Sequence, residues 1–421
     1  MESTLRIENR SQLIYLLTEA AEIEHGVMCC YLFTAFSLKK GTDEGVTDAQ
    51  LRKIRNWSRL IRGVAVEEML HLGAVCNLLT AIGGAPHLRR PNFPIRMDRR
   101  GGFHLRLAPF SLETMEDFIA IEEPDDIVGP DGKSRRSLPS LVRPRLSDIF
   151  ASEREFHTQG RLYHGIEDGI VYLAQKYGEK QLFISEPDVQ TAAPSHFESL
   201  PQLAPVTDLA SALEAINVIV VQGEGASRDT PDSHYNKFMT IWQEYKEALA
   251  EDPEFQPARP VLGNPYALPP SDKTDTTDLN FIDDPDTAEL CNLSDACYEL
   301  MIQILGRLFV HAEESNEDLQ RLSQAAETLM IEIIAPLADA LTRSPAGPSH
   351  PGKTAGISFR LSRGATIPTH REAAWMVFRE RLGELGAYCA FLHARDRAPA
   401  VLTRIKATLI KVAESLTLAA S

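Results

Sequence analysis

The sequence predicts a mainly α protein: a four-helix bundle interrupted by a long irregular crossover, followed by a helical C-terminal domain. Three observations predict it. Apolar residues recur at helical spacing through two long runs, Ser11–Leu38 and Asp48–Ile82. Between 84 and 150 the periodicity lapses and prolines accumulate, from Pro86 to Pro144. Beyond residue 285 the helical period returns and persists almost to the C-terminus.

In the first run Leu13, Leu17, Ala20, Val27, Tyr31 and Ala35 share a face, and Glu24 falls in the same phase, so a carboxylate is aimed at the core. Ser11 is the expected N-cap, and Lys39-Lys40-Gly41 closes the segment. Glu22 and His25 form a Glu-x-x-His by spacing alone, with a solvated Glu22 and an interfacial His25 as the plain alternative. After a polar loop, the second run carries Val66-Glu67-Glu68-Met69-Leu70-His71 and ends at Gly83-Gly84-Ala85-Pro86. A helix puts Glu68 and His71 on one face, the arrangement with which four-helix bundles bind iron or manganese. A four-letter pattern also arises by chance, so the other helices must supply further ligands. The short connection predicts that the two helices are antiparallel neighbours.

The crossover, 84–150, holds one short strand around Phe103, Leu105 and Leu107 and one short helix, Ser111–Ile121, capped by Ser111. A third long helix is expected over about 152–177, carrying His157, Arg161, His164 and Glu167. Asp208 opens a fourth over 209–221, and another starts near Ser233-His234-Tyr235. The domains read as 1–250 for the bundle, 251–285 for a proline-rich acidic linker across the surface with little to pack, and 286–421 for the helical C-terminal domain. That last part shows two amphipathic helices over 286–344 and a final pair over 370–393 and 398–418.

Bulk properties exclude several function classes. The chain has 421 residues, 43% hydrophobic and 24% charged, with a formal net charge of −16 and no basic stripe. That charge repels phosphate backbones and anionic membranes, so no nucleic-acid or membrane partner is expected. The longest apolar stretches, such as Val27–Phe36, are too short to span a bilayer. The beginning Met-Glu-Ser-Thr-Leu-Arg has no secretory pattern, so a cytoplasmic location is expected. The six cysteines include no Cys-x-x-Cys pair and read as buried thiols.

Four blocks carry a family resemblance: Ala21-Glu22-Ile23-Glu24-His25 with Tyr31-Leu32; Val66 to His71 with Asn77-Leu78-Leu79 and Gly83 to Pro86; Gln222-Gly223-Glu224-Gly225; and His234-Tyr235 with Phe238. In order and spacing the chain resembles the ferritin-like domain of the iminophenylpyruvate dimer synthases of violacein-type biosynthesis. Weaker similarity extends to Pro205–Leu209 and Gly352–Gly356. The resemblance implies a ferritin-like fold and a metal centre with Glu24, Glu68, His71, Glu224 and His234 as ligands, and Glu67 and Asp232 in reserve. The Glu24-to-Tyr31 interval matches that of ferritins and rubrerythrins, favours Glu24 over Glu22 and marks Tyr31 as a candidate catalytic residue.

The resemblance breaks at two points. The family's third helix carries Gly-Glu-Phe-Tyr where this chain reads Gly160-Arg161-Leu162-Tyr163, and the late Glu-x-x-His has become Pro231-Asp232-Ser233-His234. A guanidinium cannot ligate a metal. A second ion would therefore need another carboxylate, such as Glu167 or Glu153, while Arg161 becomes a candidate to bind a substrate carboxylate. The implied function is an iron-dependent oxidase or oxygenase of specialised metabolism, with one or two iron ions or manganese, acting on a small amino-acid-derived intermediate. The alternative is a metal-free bundle, with Arg161 paired to Glu24 or Glu68, acting as a pathway partner or cofactor-independent enzyme. A second copy of the chain and a pathway enzyme are the partners left open.

Overall fold

Asn9 starts the first helix: its side chain accepts from the Gln12 amide at 3.0 Å, so the N-cap lies two residues before Ser11. The computed structural model describes residues 7–96, 104–123, 159–192, 197, 199–223, 232–267, 278–311, 313–362 and 369–417. Helix α1 (Arg10–Ser37) is followed by α2 (Asp48–Ala81), which Thr47 and Gln50 open with a reciprocal capping box. Gly83, at φ +83°, turns the chain out of α2.

Three contacts fix how α1 and α2 run. Arg10 donates to the Ile82 carbonyl at 2.5 Å, Glu24 faces His71 at 3.7 Å, and the Arg62 guanidinium lies 4.8 Å from the Phe36 ring. As residue numbers rise on α1 they fall on α2, so the pair is antiparallel along its length.

The crossover contributes a two-stranded antiparallel ribbon, β1 (Ile95–Arg96) with β2 (His104–Leu105), and α3 (Leu112–Ile121), capped by Ser111. Helices α4 (Gln159–Tyr177), α5 (Glu179–Leu182), α6 (Leu209–Gln222) and α7 (His234–Glu251) follow. The first seven residues of the expected third helix, with His157, lie outside the described residues. Helix α3 packs on α7 and α4 on α6, while α2 touches both α6 and α7. The α1–α2 pair is thus faced by two shorter helix pairs. Their junction is lined by the last residue of α6, the first residue of α7 and the residue after α3.

Residues 252–267 pack more than their composition suggests. Phe255, Arg259, Val261 and Leu262 are buried, and Phe255 joins the Trp57–Tyr245 aromatic cluster. The backbone bonds to the end of α1, Lys39 N to Pro257 O at 2.9 Å and Arg259 N to Ser37 O at 2.8 Å, and to Thr354 further on. Backbone pairing and a few large side chains bind this strap to the bundle despite its prolines. Strands β3 (Pro265–Tyr266) and β4 (Asn280–Phe281) then pair in parallel.

Helix α8 (Pro285–Phe309) is buried on most of its circumference. Helix α9 (Asn316–Thr328) continues through a π-type segment, Leu329–Ile334, into α10 (Ala335–Leu341). Pro336 lacks an N–H and its ring crowds the preceding turn, which accounts for the widened hydrogen-bond register there. Helices α11 (Arg371–His393) and α12 (Val401–Ser415) pack on each other, and α11 also packs on α8. One apolar core runs without interruption from Ile7 to Leu416. All six cysteines are free and buried. By length and composition α2 meets the requirement for crossing a membrane, but most of its apolar window is buried inside the protein.

Candidate metal centre

At the helix junction three carboxylates and two imidazoles converge, all buried. Glu24 comes from the middle of α1, Glu68 and His71 from successive turns of α2, Glu122 from the residue after α3, and His234 from the first position of α7. They form two overlapping clusters, Glu24–Glu68–His71 and Glu68–Glu122–His234. Glu68 is common to both and turns one oxygen to each side: Oε2 lies 3.0 Å from His71 Nδ1, and Oε1 lies 3.0 Å from His234 Nδ1. The two rings stack with centroids 5.5 Å apart.

The surroundings repeat on both sides. Tyr163 donates to Glu24 and Tyr31 donates to Glu122. Behind the imidazoles, His71 Nε2 lies 3.1 Å from Gln222 Oε1 and His234 Nε2 lies 2.9 Å from Glu67 Oε2. Both partners are acceptors, so each Nε2 donates outward and each Nδ1 faces the centre, where it would give up its proton to bind a metal. Gly223 closes this end; a Cβ there would stand 3.8 Å from His71 and 3.9 Å from His234.

The electrostatics are those of a site built for positive charge. Burial and the neighbouring Glu68 push the Glu24 carboxyl up to about 8. Burial also disfavours charge on Glu68, but its close contacts with His234 and then His71 outweigh it and hold that carboxyl well below the usual range. Burial likewise opposes charge on His71, yet its contacts to Glu24 and Glu68 raise it to about 9. His234 is raised against burial by Glu68 and Glu122.

The residues fit a metal by a direct observation. His234 Nδ1 and Glu122 Oε2 are buried 3.5 Å apart, with Glu68 3.0 Å from His234 Nδ1, and neither makes a well-directed hydrogen bond among the described residues. Buried polar atoms aimed at a common point and left unsatisfied are costly unless something occupies that point. An N and O donor set of this kind suits divalent iron or manganese.

Several site residues read from the sequence lie elsewhere. Glu167, a proposed replacement carboxylate, sits half-exposed beside His164 at 3.6 Å and takes no part in either cluster. Glu122 supplies the further carboxylate from the crossover, because α3 packs against α7 and ends beside His234. Glu67 backs His234 rather than facing the centre, and Asp232 is exposed. Glu22 is half-buried against His87 at 3.0 Å, while His25 turns to Tyr298. Glu224, Pro231, Glu153 and the Arg161 side chain lie outside the described residues. The sequence reading missed Glu122 entirely. The usable signal was that Ser111 caps a short amphipathic helix, which ends in Glu122-Glu123 next to an apolar face.

Comparison with known proteins agrees with this architecture. A family model described as Ferritin-like matches residues 17–243. Dichlorochromopyrrolate synthase of Lentzea aerocolonigenes is 29% identical over 424 aligned residues, covering 92% of this chain and 40% of that protein. The 2-imino-3-(indol-3-yl)propanoate dimerase of Chromobacterium violaceum is 28% identical over 369, covering 83% of this chain and 34% of its own length. The chain therefore spans well under half the length of these curated relatives. A crystal structure of a ferritin-like protein from Caulobacter vibrioides shares the fold, with TM-score 0.50 and 16% identity over 84% of this chain and 100% of that one. With the matched family span exceeding half of the sequence, the chain belongs to the ferritin-like family.

Proposed function

We propose that this chain is a metal-dependent oxidative enzyme of specialised metabolism that couples or oxidises a small amino-acid-derived intermediate, with a two-ion centre on Glu24, Glu68, His71, Glu122 and His234. The observation that carries the reading is Glu68, whose two oxygens face two separate imidazole–carboxylate pairs. A carboxylate so placed bridges two ions and offsets their mutual repulsion. Redox-active iron held there would supply the acceptor for the electrons removed from substrate, with dioxygen as terminal oxidant.

The chain's own residues account for the rest. Tyr31 and Tyr163 orient the outer carboxylates, and Gln222 and Glu67 fix the imidazole tautomers. Tyr31, Phe118 and Phe238 form an aromatic wall, with ring centroids 4.6–5.2 Å apart, that keeps water from the Glu122 side. Glu24 and His71 on one side and Glu122 and His234 on the other, with Glu68 between, would hold the ions. The name of the Chromobacterium violaceum relative favours a 2-imino acid carrying an aryl group as the substrate class: joining two such molecules through a new C–C bond releases two electrons and two protons, which dioxygen takes up.

Metal analysis of protein purified with iron tests the reading. About two equivalents per chain are expected in the wild type, none in Glu68→Ala and about one in Glu122→Ala. Absence of bound transition metal in the wild type, or equal metal in Glu68→Ala, overturns it.

A further inference from the structure

We infer that the two halves of the centre bind their ions unequally, the Glu122–His234 half first and more tightly, with Glu67 as the positioning residue responsible. The inference rests on the two-ion reading above and goes beyond it. The group behind each imidazole carries it.

His234 Nε2 faces the Glu67 carboxylate at 2.9 Å, and Lys237 Nζ holds that carboxylate at 2.6 and 2.9 Å, so it stays anionic and fixed. Among the described residues His71 Nε2 faces the neutral amide oxygen of Gln222 at 3.1 Å, and the amide nitrogen of Gln222 donates to Gln202 at 2.7 Å. Both arrangements fix the same tautomer, so the halves differ in charge rather than geometry. A carboxylate draws the Nε2 proton more strongly than an amide and makes the opposite nitrogen a better electron-pair donor. Outer partners of this kind are typically worth about 10- to 100-fold in metal affinity.

Anaerobic titration of the metal-free chain with Mn(II), followed by calorimetry and electron paramagnetic resonance, tests the inference without an activity assay. The first equivalent is expected to bind about tenfold or more tightly than the second and to give the signal of an isolated ion. Crystals soaked with one equivalent should place the anomalous peak beside His234 and Glu122. Glu67→Gln should bring the two affinities within about threefold of each other by weakening the first site alone, and Gln222→Glu should tighten the second. Equal affinities in the wild type, a first peak beside His71, or a Glu67→Gln variant that weakens both sites together overturns the inequality. Failure to bind Mn(II) at all overturns the two-ion reading together with it.

Discussion

Asp295 is a buried carboxyl outside the metal centre, and its chemistry is set by α8 and residues 358–360. Ser358 donates to both of its oxygens at 2.6 Å and the Arg360 amide reaches it at 3.2 Å, yet burial still pushes it up to about 7 from an ordinary 3.8. Between those values the folded protein keeps a proton that the unfolded chain has released. Stability therefore falls as pH rises from about 4 to 7, and the loss is complete above that window. Asp295→Asn, which removes this titration, should gain on the wild type progressively across the same range, by on the order of 2–4 kcal/mol at pH 8. Thermal melts of both proteins at pH 4.5, 6 and 8 check it; a difference independent of pH would assign Asp295 an ordinary acidity. The residue scale is also where the sequence was most and least informative. Glu24, Glu68 and His71 follow from helical phase, because a carboxylate on an apolar face is visible in a single chain. Glu122 does not, because its role depends on α3 folding back across α7, a contact between residues far apart in sequence.

At the scale of elements, the site depends on helix ends. Glu122 follows the last residue of α3 and His234 is the first of α7, so the caps that fix those helices also fix the positions of two proposed ligands. Ser111 Oγ accepts from the Thr114 amide at 3.0 Å and starts α3. Ser111→Ala should cost about 1 kcal/mol of stability, read as a lower urea midpoint. It should also weaken Mn(II) binding on the Glu122 side more than on the Glu24 side. Equal weakening of both halves would separate α3 from the site. The long helices were readable because their period persists for seven turns or more. The strap at 252–267 was not: its prolines and acids suggest a linker, and only its backbone bonds to α1 and its buried Arg259 reveal a packed segment.

Across the whole molecule, that strap ties distant parts together. The Arg259 guanidinium bonds Glu44 at 2.6 and 3.0 Å, Asp339 at 2.9 Å and Thr342 at 2.8 Å, joining the α1–α2 loop to α10. Removing it leaves Asp339 still paired to Lys40 at 2.7 Å and Glu44 to Arg343 at 3.4 Å, so Arg259→Met should destabilise by about 2 kcal/mol, between a buried and a surface pair. Chemical unfolding followed by tryptophan fluorescence measures this; a loss under about 1 kcal/mol would mark the pair as surface-like. The same continuity brings a C-terminal helix against the back of α1. Tyr298 of α8 reaches His25 and Cys29 on the back of α1, one residue from Glu24. An amphipathic pattern shows that these helices bury a face but does not name the surface they bury it against, so this docking was invisible in the sequence.

The central claim is that Glu68 bridges two metal positions. An anomalous-scattering map of iron-loaded crystals, recorded on both sides of the iron edge, tests it most directly. The account predicts two iron peaks flanking the Glu68 carboxylate, one beside Glu24 and His71 and the other beside Glu122 and His234; no peak there, or a single ion touching neither imidazole, would contradict it.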